Sequence, residues 1–276
     1  MIVFPNCKIN LGLNVLRKRG DGFHELETVF YPLPLQDILE IVYLKKMTGE
    51  PGVSFSQSGI EIRGEQGNNL CMRAFWLLKK KFPNMPSIQM HLHKQIPAGG
   101  GLGGGSADGA LTLRVLNEIS NLRLSEEQLL KFAVQLGSDC PFFIINKPCF
   151  SKGRGEKLER ISVDLSAYKF IVVNPGIHID TGAMFSKINL ARPARSLKEI
   201  IADPIEKWRT EMKNDFEKIA FPLYPEISRI KEELYDAGAL YASMSGSGSS
   251  VYGIFAKQQA INISFPANYF VKELIS

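Results

Sequence analysis

Apolar residues alternate with polar ones, or run as β-branched and aromatic stretches, over 7–16, 26–34 and 37–44, which predicts three early strands. The spacing then changes. Over 69–82, Leu70, Ala74, Leu77 and Leu78 recur at helical intervals, and Lys79, Lys80 and Lys81 close the last turn as a solvated helix end. Residues 87–93 alternate again as a strand, and 104–120 are apolar nearly all round, which predicts a well-buried helix. Ser125 and Gln128 form a capping box that opens a helix over 126–136, with Gly137 at its stop. Apolar runs at 141–146 and 168–174 predict strands on either side of a turn-rich stretch, and a domain boundary is expected within 148–167. Pro225 suits a first helical turn, Ile227, Ile230 and Leu234 share a face, and Gly238 ends a helix over 225–237. Strands at 239–243 and 250–255 flank the small-residue loop Ser245-Gly246-Ser247-Gly248-Ser249. No regular β–α repeat appears, which favours an α+β fold over a doubly wound sheet.

Composition narrows the class. With 276 residues, 45% of them hydrophobic and 22% charged, the chain is neither disordered, nor collagen-like, nor a coiled coil. No run approaches the ~18 apolar residues of a membrane span, and the first residues carry no secretory signal pattern. Cys7, Cys71, Cys140 and Cys149 form no CxxC pair and are expected to be reduced thiols in a cytoplasmic protein. A net charge of +5 is too small to argue for nucleic acid, and it suits an enzyme that handles anionic small molecules.

The strongest chemical signal is the stretch Pro97, Ala98, Gly99, Gly100, Gly101, Leu102, Gly103, Gly104, Gly105, Ser106. Glycines open backbone conformations closed to other residues and let a bulky anion reach the amides. Because a helix starts where the loop ends, its unpaired N–H groups and positive dipole end favour a phosphate there. A P-loop is excluded, because no Gly-Lys follows. A dinucleotide loop is a second reading, but Glu118, at the distance of its acidic partner, falls inside the predicted helix. A flexible hinge is a third. His91 and His93 share one strand face, a minimal metal pair, but without a third ligand nearby they read as part of a surface strand.

The segment Pro97–Ala110 resembles the phosphate-binding motif of the GHMP kinases, named for galactokinase, homoserine, mevalonate and phosphomevalonate kinases. Three further segments match in order: Lys8–Leu13 with Asp21–Leu26, then Gly137–Pro141, then Met244–Ser249. They are closest to members whose substrate carries a cytidine diphosphate group. The resemblance spans almost the whole chain. It implies a two-domain α+β GHMP kinase fold, with a ribosomal-S5-like N-terminal domain over 1–155 and a ferredoxin-like C-terminal α/β sandwich over 156–276. It also implies phosphoryl transfer to an alcohol, with ATP and Mg²⁺ as cofactors, in isoprenoid precursor synthesis by the non-mevalonate route. No nucleic acid, membrane or obligate protein partner is implied.

Residue by residue, the resemblance makes Asp139 the catalytic aspartate and Lys8 its partner; read locally, Asp139 is equally an Asx-turn cap and Lys8 an edge-strand lysine. The loop from Pro97 to Ser106 becomes the ATP cradle. Ser106 opens the following helix as an N-cap and contacts phosphate or Mg²⁺, with no protein cage for the metal. Asn10, on the strand face of Lys8, binds substrate. Phe23 and His24, in a turn after Asp21-Gly22, recognise the cytosine by stacking and hydrogen bonding, and Thr181 with Phe185 forms the pocket's second wall. Locally, Thr181 reads as an N-cap and Phe185 as a core aromatic. Gly246 and Ser247 close over substrate. Three departures from the family pattern stand out: Phe23 for Tyr, Ala107 for a second serine, and Gly109 for alanine, the last costing ~1 kcal/mol of helix propensity. A GHMP kinase for another small alcohol, or an RNA- or protein-binding module on the same fold, are the alternatives.

Overall fold

The computed structural model describes residues 1–44, 52–61, 69–190 and 193–275. The first part of the chain forms β1 (Ile2–Val3), β2 (Asn6–Lys18), β3 (His24–Gln36), β4 (Ile38–Tyr43), β5 (Val53–Gly59), α1 (Leu70–Lys81) and β6 (Ile88–Lys94). Next come α2 (Gly104–Ile119), α3 (Glu126–Leu136), α4 (Cys140–Ile145), β7 (Cys149–Lys152), β8 (Lys157–Arg160) and β9 (Tyr168–Asn174). The remainder is α5 (Thr181–Ser186), α6 (Leu197–Ile200), α7 (Ile205–Glu211), α8 (Glu217–Leu223), α9 (Pro225–Asp236), β10 (Tyr241–Met244), β11 (Val251–Ala256) and β12 (Phe270–Ile275). No described helix is long and apolar enough to cross a membrane.

Packing divides the described residues into two units that interleave along the chain. One contains 1–7, 35–98 and 103–146; the other contains 8–34, 99–102 and 147–276.

The first unit is built on a sheet of order β1-β4-β6-β5, antiparallel except for the parallel β5–β6 pair. Its strand β6 buries Ile88, Met90 and Leu92 at every second position, as alternation requires. Asn69 caps α1 by accepting the Cys71 N–H at 2.8 Å, and Ser125 with Gln128 completes the capping box of α3. Gly109 has a packing reason that propensity alone hides: a Cβ there would sit 2.8 Å from the Leu70 Cβ, so its absence lets α1 approach α2.

One predicted strand is wrong. Residues 141–146 are not extended; Cys140–Ile145 is the short helix α4, with Pro141 in its first turn and Asn146 closing it at φ 50°. Phe142, Phe143 and Ile144 are all buried, and a short helix buried all round carries no periodicity to distinguish it from a strand.

The second unit holds two sheets, β2-β3-β7-β8 and β10-β11-β9-β12. In the latter every described pairing is antiparallel. Helix α9 starts at Pro225 and stops before Gly238 at φ +91°, and it packs Ile227, Ile230 and Leu234 into a core with Ile171, Val173 and Val251.

Candidate active site

Strand β2 carries Lys8 and Asn10 on one face, and both are almost wholly buried. The Lys8 ammonium donates to Asn10 Oδ1 at 2.5 Å and to the Gly101 carbonyl at 3.0 Å, and lies 5.0 Å from the centre of the Phe30 ring. Asn10 Nδ2 donates in turn to Thr28 Oγ1 at 2.9 Å, which fixes the amide orientation and leaves its oxygen for the lysine. An ammonium stripped of most of its water is a strong local field, suited to an oxyanion that develops during reaction.

The glycine turn 99–102 is held by this strand and by the second small-residue loop. The Lys8 N–H donates to the Leu102 carbonyl at 2.9 Å and the Ser250 N–H to the Gly100 carbonyl at 3.1 Å. Ser245 Oγ donates to the Gly101 carbonyl at 2.8 Å. The approach is closest at Gly101, with φ +79°: a Cβ would lie 1.9 Å from the Ser245 carbonyl oxygen. Gly246 faces it, its own Cβ position 3.3 Å from the Gly101 Cα. Sequence reasoning missed the groups that hold this second loop. Asn214 Nδ2 donates to the Met244 and Gly246 carbonyls, both at 2.8 Å, and Glu217 accepts the Met244 N–H at 2.9 Å. No local motif marks either residue, because their role is set by a strand distant in sequence.

The residues expected to surround a pyrimidine also lie in this unit. Phe23 is half exposed in the turn, whereas His24 is the first residue of β3 and not part of that turn. His24 stacks on Phe185 with ring centres 4.9 Å apart and planes 15° off parallel, and Phe185 meets Phe216 edge-on. Burial first, then the charge of Lys18, lowers the His24 pKa, which keeps its ring neutral and able to both donate and accept hydrogen bonds. Thr181 is not an N-cap; Asp180 caps α5 by accepting the Ala183 N–H, which frees Thr181 to hydrogen-bond Ser247 Oγ at 2.8 Å.

In the first unit, α2 begins at Gly104 with Gly103 as its left-handed cap at φ +71°. Ser106 is thus the third helical residue, not the cap, and no side chain occupies the capping position. The first-turn N–H groups have no partner within the helix and fit an anion, so the loop suits the phosphates of ATP. Beneath this turn lies a buried charge cluster absent from the sequence reading. Lys94 donates to Asp37 Oδ2 and, at 2.8 Å, to Asp108 Oδ2, and Asp37 Oδ1 takes the Gln95 and Ile96 N–H groups. Burial, reinforced by the charge of Asp37, raises the Asp108 carboxyl above the ordinary carboxylate range despite Lys94. Burial also opposes the Lys94 charge, but the two carboxylates together lift its pKa. Two acids facing one ammonium bind a proton more tightly than a simple pair would.

Asp139 is the N-cap residue of α4, yet its side chain makes no capping bond, so the Asx-cap reading is not what the structure adopts. The thiol of Cys140 is pushed up to about 12, by burial above all, and is chemically quiet at neutral pH. His91 and His93 are occupied by Ser56 and Ser58 at 2.8–2.9 Å. Among the described residues no group of three His, Cys, Asp or Glu could hold a metal.

The family model for the GHMP kinases N terminal domain matches residues 69–147, and that for the GHMP kinases C terminal domain matches 196–267. A protein of Bacteroides fragilis named 4-diphosphocytidyl-2-C-methyl-D-erythritol kinase is 50% identical over 261 residues, covering 95% of this chain and 94% of its own. One of the same name from Azobacteroides pseudotrichonymphae is 52% identical over 258 residues, covering 93% and 94%. The crystal structure of a 4-(cytidine 5'-diphospho)-2C-methyl-D-erythritol kinase superposes with a TM-score of 0.78 at 29% identity, covering 92% of this chain and 90% of that one. The mevalonate kinase of Methanococcus jannaschii gives 0.69 at 13% identity, covering 100% and 98%, a likeness of fold alone.

Proposed function

The chain belongs to the GHMP kinase family, and on that premise we propose that it phosphorylates the 2-hydroxyl of 4-diphosphocytidyl-2-C-methyl-D-erythritol with ATP, a step toward isoprenoid precursors by the non-mevalonate route. The observation that carries this reading lies within the second unit. A buried ammonium is locked between Asn10 and the glycine turn, on the same unit as the neutral, stacked His24–Phe185 pair. A kinase for mevalonate, homoserine or galactose has no use for that aromatic pair.

ATP supplies the phosphoryl group, and Mg²⁺ bound with it would neutralise phosphate charge. The glycine loop and the first turn of α2 are the residues fit to hold the phosphates, with Ser106 offering a hydroxyl to phosphate or metal. Lys8 favours the deprotonated form of the acceptor hydroxyl, Asn10 orients it, and Asp139 receives its proton. Phe23, His24, Thr181 and Phe185 bind the cytidine, while Gly246 and Ser247 cover the substrate. Four buried, unbridged cysteines fit a reducing, cytoplasmic setting.

The test is ADP release with Mg²⁺-ATP and each of four alcohols: 4-diphosphocytidyl-2-C-methyl-D-erythritol, mevalonate, homoserine and galactose. Turnover is expected with the first alone; turnover with another would discard the pyrimidine pocket. Asp139→Asn is expected to lower kcat by ~10²–10⁴, the usual range for a lost general base. Near-normal turnover of the folded variant would remove Asp139 from that role.

A further inference from the structure

The Arg154 guanidinium lies 4.4 Å from the centre of the Phe23 ring. No charged group was expected there, and none of the roles proposed for the substrate or ATP involves Arg154. Arg154 sits in the turn between β7 and β8, and that turn is bonded to the segment carrying Phe23. Leu26 N–H donates to the Gly153 carbonyl at 2.8 Å, and the Gly153 N–H donates to Glu25 Oε1 at 3.2 Å. Glu156 Oε2 accepts the Arg154 N–H at 2.6 Å, which sets the direction of the turn. On the other side, Arg19 pairs with Asp21 at 2.8 Å and Glu25 at 3.4 Å, and Asp21 Oδ1 accepts the Phe23 N–H at 3.2 Å. The Arg19 hydrogen bond, with smaller help from the charge of Arg154, keeps the Asp21 carboxyl below its usual range, so the Arg19–Asp21 pair stays ionised at neutral pH.

Both backbones that bring the guanidinium to the ring are therefore fixed. The ring itself is still 50% exposed. An aromatic ring has two π faces, and a cation on one leaves the other for a flat partner. An exposed phenylalanine without such a clamp samples several rotamers, and ordering it on binding costs affinity. Phe23 also lacks a hydroxyl that could tether the ring by hydrogen bonding.

We infer that Arg154 is a positioning residue for substrate specificity: it clamps one face of Phe23 so that the opposite face is preformed as the stacking platform for the pyrimidine. The inference rests on the cytidylyl substrate proposed above and acts through Phe23, not through the reacting groups.

The experiment measures KM and kcat for 4-diphosphocytidyl-2-C-methyl-D-erythritol in the wild type, Arg154→Ala, Phe23→Leu and the double variant, with KM for ATP alongside. In Arg154→Ala, KM for the cytidylyl substrate is expected to rise about two- to fivefold, the range of an exposed cation–π contact. Its kcat and its KM for ATP stay within about twofold, a split that general loosening of the fold would not give. In the Phe23→Leu background, Arg154→Ala adds nothing further. Arg154→Lys, which keeps a cation but not a planar group, recovers part of the loss. An equal KM increase with or without Phe23 would overturn the clamp and make Arg154 a direct contact. An unchanged KM in Arg154→Ala would overturn it outright. If the wild type fails to turn over the cytidylyl substrate, the proposed function falls first and the clamp with it, an outcome distinct from both.

Discussion

The two small-residue loops look alike in sequence and do opposite things. The loop from Gly99 to Gly105 runs into a helix and leaves first-turn amides without internal partners. The loop from Ser245 to Ser250 joins two paired strands and turns its hydroxyls inward: Ser245, Ser249 and Ser250 are fully buried. Ser249 Oγ donates to the Ile177 carbonyl at 2.5 Å, and Ser250 Oγ accepts from Asn174 at 2.9 Å. One loop leaves donors without a partner in its own helix while the other uses its donors as fasteners. What the first loop fastens to is the second, since Ser245 and Ser250 bond the Gly101 and Gly100 carbonyls. Glycine content therefore says little about role; the fate of the neighbouring hydrogen-bonding groups says more.

The most severe way to break this arrangement is Gly101→Ala. Left-handed backbone strain and the overlap with the Ser245 carbonyl add to a loss of about 2–5 kcal/mol. Chemical denaturation should show it as a lower midpoint with an unchanged slope. Stability within experimental error of the wild type would mean that the second loop does not shape the first. Ser245→Ala is milder, since it removes the hydroxyl that bridges the Gly101 carbonyl and the Asn10 N–H, at 2.8 and 3.3 Å. A loss of about 1–2 kcal/mol is expected, and equal stability in the two proteins would show that water replaces the hydroxyl. The smallest stability change belongs to Gly105→Ala, where a Cβ meets nothing within 4 Å. Helix propensity should raise stability by about 0.5–1 kcal/mol, and with the phosphates on this turn, as proposed, KM for ATP is expected to rise. Unchanged KM for ATP would place the phosphates away from this turn.

Much of this was legible in the chain. The capping box at Ser125, the Pro225-to-Gly238 helix and the alternation of β6 are local patterns, and local patterns survive into the fold because they satisfy backbone groups close by. The Lys8–Asn10 face could be read for the same reason: two-residue strand spacing alone puts both side chains on one side. Where the signal was ambiguous, tertiary burial decided. Cys140–Ile145 became a helix although its composition favours a strand, and Gly103 rather than Ser106 capped α2.

The order of residues set which backbone segments could be helix, strand or glycine turn, and which chemical groups were available at what spacing. Those properties depend on neighbours a few bonds away. Long-range packing alone requires that Gly101 clear the Ser245 carbonyl, that Lys94 lie between Asp37 and Asp108, and that Arg154 cover Phe23. Each of these joins residues from 14 to more than 140 positions apart, so it is fixed by packing and desolvation, which no local pattern encodes.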